Sequence, residues 1–148
     1  MSKAFMVGEV KLTYHRTDEF KGQVRNSTNA VDLLRELFDK DIIEHHEEFW
    51  VLFLNRANKV IGFQQLSVGG LNGCVVDVRH LFQAALLSNA CGLIVCHNHP
   101  SGNTQPSEAD IDITKKIRQC GDIMDIKLID HVILTSDSHK SLAEEGLI

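Results

Sequence analysis

Long apolar runs, paired cysteines and an excess of basic residues are all missing from this 148-residue chain. No apolar stretch approaches the roughly 18 residues needed to cross a bilayer, and the start MSKAFMVGEVK lacks the apolar centre of a signal peptide. A cytoplasmic location is therefore expected. The formal net charge is -5, with 15 Lys and Arg against 20 Asp and Glu. Sequence-independent binding to a phosphate backbone rests on clustered cations that release counterions, so direct DNA binding is not expected of such a chain. The four cysteines, Cys74, Cys91, Cys96 and Cys120, show no CxxC spacing and lie in apolar or helical stretches such as CGLIVC. They read as buried, unpaired thiols, not as a disulfide framework or a structural zinc site. Proline is scarce too: both prolines, Pro100 and Pro106, fall in one short stretch, which leaves the rest of the chain free for regular elements.

What is present suits one globular domain, since 43% hydrophobic residues over this length are enough to bury a core without staples. Residues 1–24 read as an N-terminal strand and loop packed on a domain formed by 25–148. Within them, Val7 to Tyr14 alternates apolar and polar residues, as a half-buried edge strand does. Ser27 or Thr28 is placed to cap a helix reaching about Lys40, with Val31, Leu34, Leu37 and Phe38 at helical spacing. The apolar run Phe49 to Leu54 and the β-rich run Lys59 to Val68 flank the polar turn NRAN and predict a hairpin. After GGLNG the pattern predicts a short strand CVVDV, a helix from about His80 to Asn89 and a buried strand Gly92 to Cys96. A helix from Ser107 to about Cys120, a strand Lys127 to Thr135 and a short helix around Ser141 to Glu145 complete the order. Interleaved strands and helices predict an α/β fold, a twisted mixed sheet flanked by helices.

The strand Gly92 to Cys96 runs into the segment HNHPSGNTQPSEAD, residues 97–110. In extended backbone, positions i and i+2 point to one side, so His97 and His99 can converge on one ion while Asn98 faces away. Asp110 sits one turn into the next helix, where side chains lean back toward the helix N-terminus. Two imidazoles and one carboxylate leave a fourth tetrahedral position for water on zinc, the arrangement of a catalytic site. A plainer reading competes. S-x-x-D opening a helix is a capping box, and Ser107 with Asp110 satisfies it without any chemistry. Asp110, however, shares a helical stripe with Ile113, Ile117 and Cys120, so its carboxylate heads inward and needs a partner. The cap and the ligand can coexist.

H-x-H-P followed by S-x-x-D, with ten residues between His99 and Asp110, matches the JAMM (JAB1/MPN+) motif. Together with the upstream EEFWVLFLN and the downstream DHVIL, it resembles the RadC-like domain of that metalloprotease superfamily over roughly residues 25–148. The longer RadC-like proteins carry an N-terminal helix-hairpin-helix region, a pattern this sequence does not contain. The resemblance implies a JAB1/MPN-like (cytidine deaminase-like) architecture, Zn2+ on His97, His99 and Asp110, and a hydrogen bond from Ser107 to a developing oxyanion. It also implies a glutamate acting as general base and then acid. Glu47 and Glu48 both stand before the strand; aligning the family's E-x-F-x-V-L-x-L with this chain selects Glu47, with Glu48 in reserve. Either could equally be a solvated charge at a strand end. His45 and His46 fit a polar helix end better than a metal site, and His131 fits either a partner of the site or a satisfied histidine at a strand start.

The expected function is zinc-dependent hydrolysis of a peptide or isopeptide bond in a peptide or protein substrate. The alternative is a non-catalytic RadC-like binding module associated with DNA repair or DNA processing, since a fold does not imply an activity. A two-metal nuclease needs more carboxylates than this motif carries. A cysteine protease on Cys96 and His97 ranks lower still, because the thiol ends an apolar strand and neighbours in a strand point to opposite faces, so the pair does not easily meet. Substrate selection is expected around GGLNG and the loop 101–106, and the exposed 7–14 edge leaves a homo-oligomer open.

Overall fold

The computed structural model describes residues 8–15, 22–69 and 74–148. Among the described residues, eight elements succeed one another: α1 (Ser27–Arg35), β1 (Glu48–Leu54), β2 (Val60–Val68), α2 (Val78–Leu87), β3 (Gly92–Asn98), α3 (Glu108–Met124), β4 (Lys127–Leu134) and β5 (His139–Ser141). The strands form one five-stranded sheet in the order β2-β1-β3-β4-β5. β1 pairs antiparallel with both β2 and β3, and β3 pairs parallel with β4 across the α3 connection. The expected α/β class with a mixed sheet and flanking helices is thus the architecture observed.

Strand alternation sorts the core onto the two faces of the sheet. Phe49, Val51 and Phe53 of β1, with Leu93 and Val95 of β3, pack under α2 and α3 through Leu81, Phe82, Ala85 and Ile117. Leu52, Leu54, Ile94 and Cys96 point the other way and pack against α1 through Ala30, Val31 and Leu34. β1 and β3 are buried on both faces, which is why their sequences read as continuous apolar runs. The parity also places the polar residues that end β3: His97 emerges on the α2/α3 face, and Asn98 on the α1 face.

β4 carries one irregularity in its pairing with β3. Leu93 pairs with Leu128 but Ile94 pairs with Asp130, so Ile129 is an extra residue in β4. A bulge of this kind inverts the alternation beyond it. Leu128 lies in the α2/α3 core, and in regular alternation residue 131 would face α1; instead Val132 and Leu134 do, and His131 points toward α3.

Several expected elements are corrected. Residues 8–15 form no strand: Val10 and Leu12 are 85% and 78% exposed, and the Tyr14 hydroxyl tethers the segment by donating to the Ile61 carbonyl, while Val7 lies outside the described residues. Asn26, not Ser27 or Thr28, caps α1, its side chain accepting from the Asn29 N–H. α1 stops at Arg35, short of Lys40; the Arg35 guanidinium donates to the carbonyls of Thr135 and Ser138, and 3₁₀-type bonds tighten the chain beyond. CVVDV is not a strand: Asp77 caps α2 by accepting from the Arg79 N–H, which draws Val78 into the helix and leaves Val75 exposed. The C-terminal helix is a run of turns, because Ser141 pairs with Val132 in β5 and its hydroxyl bonds Asp130 and the Glu144 N–H. Of GGLNG, residues 70–73 lie outside the described residues. All four cysteines are free as expected, but only Cys96 is fully buried.

Candidate metal centre

The C-terminal end of β3 and the N-terminal end of α3 meet at one place. His97, the penultimate residue of β3, is 3% exposed and stacks on Phe49, with centroids 5.9 Å apart and planes 6° apart. His99 leaves the sheet, its N–H bonded to the Leu134 carbonyl. Its Nδ1 lies 2.7 Å from the Asn103 carbonyl. A carbonyl only accepts, so Nδ1 carries the proton and the neutral ring presents a lone pair at Nε2. Pro100, Gly102 with φ of 83° and the Asx turn at Asn103 shape the intervening loop.

Asp110 arrives from the first turn of α3. Its Oδ2 accepts from the Ser107 N–H at 2.8 Å, while the Ser107 hydroxyl oxygen accepts from the Asp110 N–H at 3.1 Å, so the capping box is complete. The same carboxylate reaches His97 Nε2 at 3.2 Å through Oδ1 and His99 Nε2 at 3.3 Å through Oδ2. The two imidazole Nε2 atoms are 2.9 Å apart. Cap and inward carboxylate therefore coexist in one side chain, as the helical stripe required.

The donor set tests whether a cation fits. One ligand atom each from His97, His99 and Asp110 lies within 4.8 Å of the others. In neutral histidines bound through Nε2, these atoms are all acceptors, and acceptors this close repel unless a proton or a metal lies among them. Two nitrogens, one oxygen and an open side match the ligand type and number of a catalytic zinc site. In the metal-free cluster, the hydrogen bond to Asp110 raises the His99 pKa above its ordinary value. Burial by itself would raise the Asp110 pKa, but the two imidazoles facing the carboxylate outweigh it and hold the carboxyl well below the usual range.

A cleft of about 100 Å³ opens beside the cluster, with Glu47, Cys74, His97 and Asp110 among apolar walls that include Phe49 and Val76. Glu47 precedes β1 and shares the parity of Phe49; its carboxylate accepts from the Cys74 N–H at 3.2 Å. Glu48 lies on the opposite side of β1, 8% exposed, accepting from the Trp50 indole N–H at 2.9 Å and lying 3.2 Å from His46 Nε2. The two adjacent glutamates thus face different surroundings, and Glu47 is the one beside the imidazoles. His46 belongs to the Glu48 cluster, away from the metal-site group. Cys96 faces the α1 core, away from His97, and burial pushes its thiol well above the ordinary range.

Asn98 and Thr114, to which sequence reasoning gave no role, support the segments that carry the site from opposite faces of the sheet. Asn98, fully buried, accepts from the Glu48 N–H and donates to the carbonyls of Ile43 and His46, which anchors the chain leading into β1. Thr114, one turn past Asp110 on the inward stripe, was findable by its spacing. It lies 2.6 Å from His131 Nδ1, and His131 Nε2 lies 2.8 Å from His97 Nδ1. Burial holds the His131 pKa well below its ordinary value.

The model of the RadC-like JAB domain matches residues 24–147. A UPF0758 protein of Flavobacterium johnsoniae is 56% identical over 102 residues, covering 69% of this chain and 44% of that protein. A UPF0758 protein of Salinibacter ruber is 40% identical over 152 residues, covering 100% of this chain and 62% of its own length. One of Desulforudis audaxviator is 39% identical over 135 residues, covering 89% and 56%. The chain spans about half the length of the curated relatives it matches. No described helix is long and apolar enough to cross a membrane.

Proposed function

The chain belongs to the RadC-like JAB domain family, and on that premise we propose that it is a zinc-dependent hydrolase of peptide or isopeptide bonds, with His97, His99 and Asp110 as ligands. The observation that carries this reading is the convergence of three acceptor atoms, one from each residue, beside a cleft that also holds Glu47. A bound zinc ion supplies Lewis acidity, polarising a carbonyl and lowering the pKa of water to about 7.

The chain's own residues do the rest. Glu47 takes a proton from the attacking water and returns it to the leaving nitrogen, the work of a positioned general base turned acid. The Cys74 N–H fixes one oxygen of that carboxylate. Ser107 donates its hydroxyl proton to the developing oxyanion; its oxygen already receives the Asp110 N–H, which leaves that proton free to donate. Phe49 and Val76 exclude bulk water from one side, which strengthens each of these interactions. The substrate is a peptide or protein whose scissile bond can enter a narrow cleft.

The test is hydrolysis of peptide and isopeptide-linked substrate libraries by zinc-loaded protein, beside Glu47→Gln. The expected variant keeps its zinc and loses about 10²–10⁴ of the rate. Equal rates in the two proteins would remove Glu47 from the chemistry, and no turnover of either bond by the zinc-loaded wild type would remove the hydrolase reading.

A further inference from the structure

We propose that His131 and Thr114 are positioning residues that lock His97 in the tautomer with its Nε2 lone pair turned to His99 and Asp110, through a hydrogen-bond relay that ends on the backbone of Asp110. The consequence for zinc rests on the ligand assignment above; the relay itself does not.

The proton positions are set by one fixed point. The Asp110 carbonyl can only accept, and the Thr114 hydroxyl lies 2.6 Å from it, so Thr114 donates there. A hydroxyl has one proton, so toward His131 Nδ1, also at 2.6 Å, Thr114 Oγ1 accepts. His131 therefore carries its proton on Nδ1 and offers a lone pair at Nε2. His97 Nδ1, 2.8 Å away, must donate to it, which leaves the lone pair of His97 on Nε2. The reverse assignment protonates His97 Nε2 and turns an N–H toward the cluster. Two imidazolium rings would oppose N–H to N–H and break the contact.

Solvent cannot redirect this relay, because His131 and Thr114 are 0% and 1% exposed. Phe49 fixes both rings, stacked on His97 and edge-on to His131 at 5.5 Å. The β4 bulge is what turns residue 131 to this face, a re-aiming that regular pairing would not give. The relay thereby closes a ring: Asp110 supplies its carboxylate to the cluster and its carbonyl to Thr114, and the same ring returns through His131 to His97. His99 reaches the equivalent tautomer by a separate route, through the Asn103 carbonyl. Orienting partners of this kind hold a ligand's imidazole and proton in place, and their loss typically weakens metal affinity about 10- to 100-fold.

Two measurements decide the matter. Two-bond ¹H–¹⁵N correlation spectra of the metal-free wild type at pH 8 report histidine tautomers, and both His131 and His97 are expected as Nδ1–H; His131 found as Nε2–H would overturn the proposal. This measurement needs neither zinc nor activity, so it stands even if the hydrolase reading falls. In chelator competition, Thr114→Val is expected to weaken zinc binding about 10- to 100-fold and Thr114→Ser to restore it. Valine matches threonine in shape but leaves the His131 Nδ1–H without its acceptor, so circular dichroism accompanies the titration, and the affinities are compared on folded protein. Equal zinc affinity in Thr114→Val and wild type would overturn the positioning role.

Discussion

Asp110→Asn separates the two roles that converge on one side chain. The asparagine oxygen can still accept from the Ser107 N–H, so the capping box survives, but the carboxylate charge opposite His97 and His99 is gone. At pH 8 in chelator, the variant is therefore expected to unfold within about 1 kcal/mol of wild type, the scale of a single helix cap. Zinc should distinguish them. A ligand at a hundred times its Kd stabilises the folded state by about 2.7 kcal/mol. For a domain of this size, that raises Tm by about 5–10 °C. Differential scanning calorimetry with and without zinc is expected to show the full rise in wild type and little or none in the variant. An equal rise in both would mean that Asp110 is only a cap. A metal-free variant several kcal/mol less stable than wild type would mean that the charge holds up the fold.

The same geometry predicts three further outcomes. In the metal-free protein, His99 is raised, so its contribution is present below its ordinary value of 6.5 and is lost as pH rises through the raised value; Asp110 is lowered, so its contribution is present above its ordinary 3.8 and is lost as pH falls. Denaturant titrations in chelator should thus show the stability advantage of wild type over Asp110→Asn largest between these two values and shrinking as pH rises through the raised His99 value; a pH-independent difference contradicts the pairing. Gly121→Ala should cost at least about 1–3 kcal/mol, read as a lowered denaturation midpoint, because an added Cβ would lie 2.2 Å from the Ile126 carbonyl oxygen where α3 turns into β4. Alkylation of the native protein should spare Cys96, which is fully buried with a strongly raised pKa; rapid modification there would reopen a nucleophilic role.

The central strands were legible because burial on both faces writes a continuous apolar run, as in FWVLFL and GLIVC, and the site was legible because i, i+2 spacing at a strand end sets two imidazoles side by side. What failed was set by partners far along the chain. Residues 8–15 alternate convincingly yet have no ladder among the described residues, and CVVDV alternates too but loses Val78 to a cap at Asp77. Ser141 to Glu145 has helical composition, but Asp130 and Val132 claim Ser141 for the sheet edge. The choice between Glu47 and Glu48 was half legible: alternation said that they face opposite ways, and only the Trp50 indole and the Cys74 N–H show which way each goes. For His131 two readings stood open, a partner of the site or a satisfied histidine at a strand start, and its facing was hidden for a different reason. A one-residue bulge inverts the parity of β4, and nothing in DHVIL announces it.

The most direct test of the account is elemental analysis of purified wild type beside His97→Ala and Asp110→Ala, with circular dichroism to confirm folding. One zinc per chain in wild type, lost in both folded variants, is the predicted result. A folded wild type that holds no zinc even after loading would contradict the metal centre and leave a binding module in the place of an enzyme.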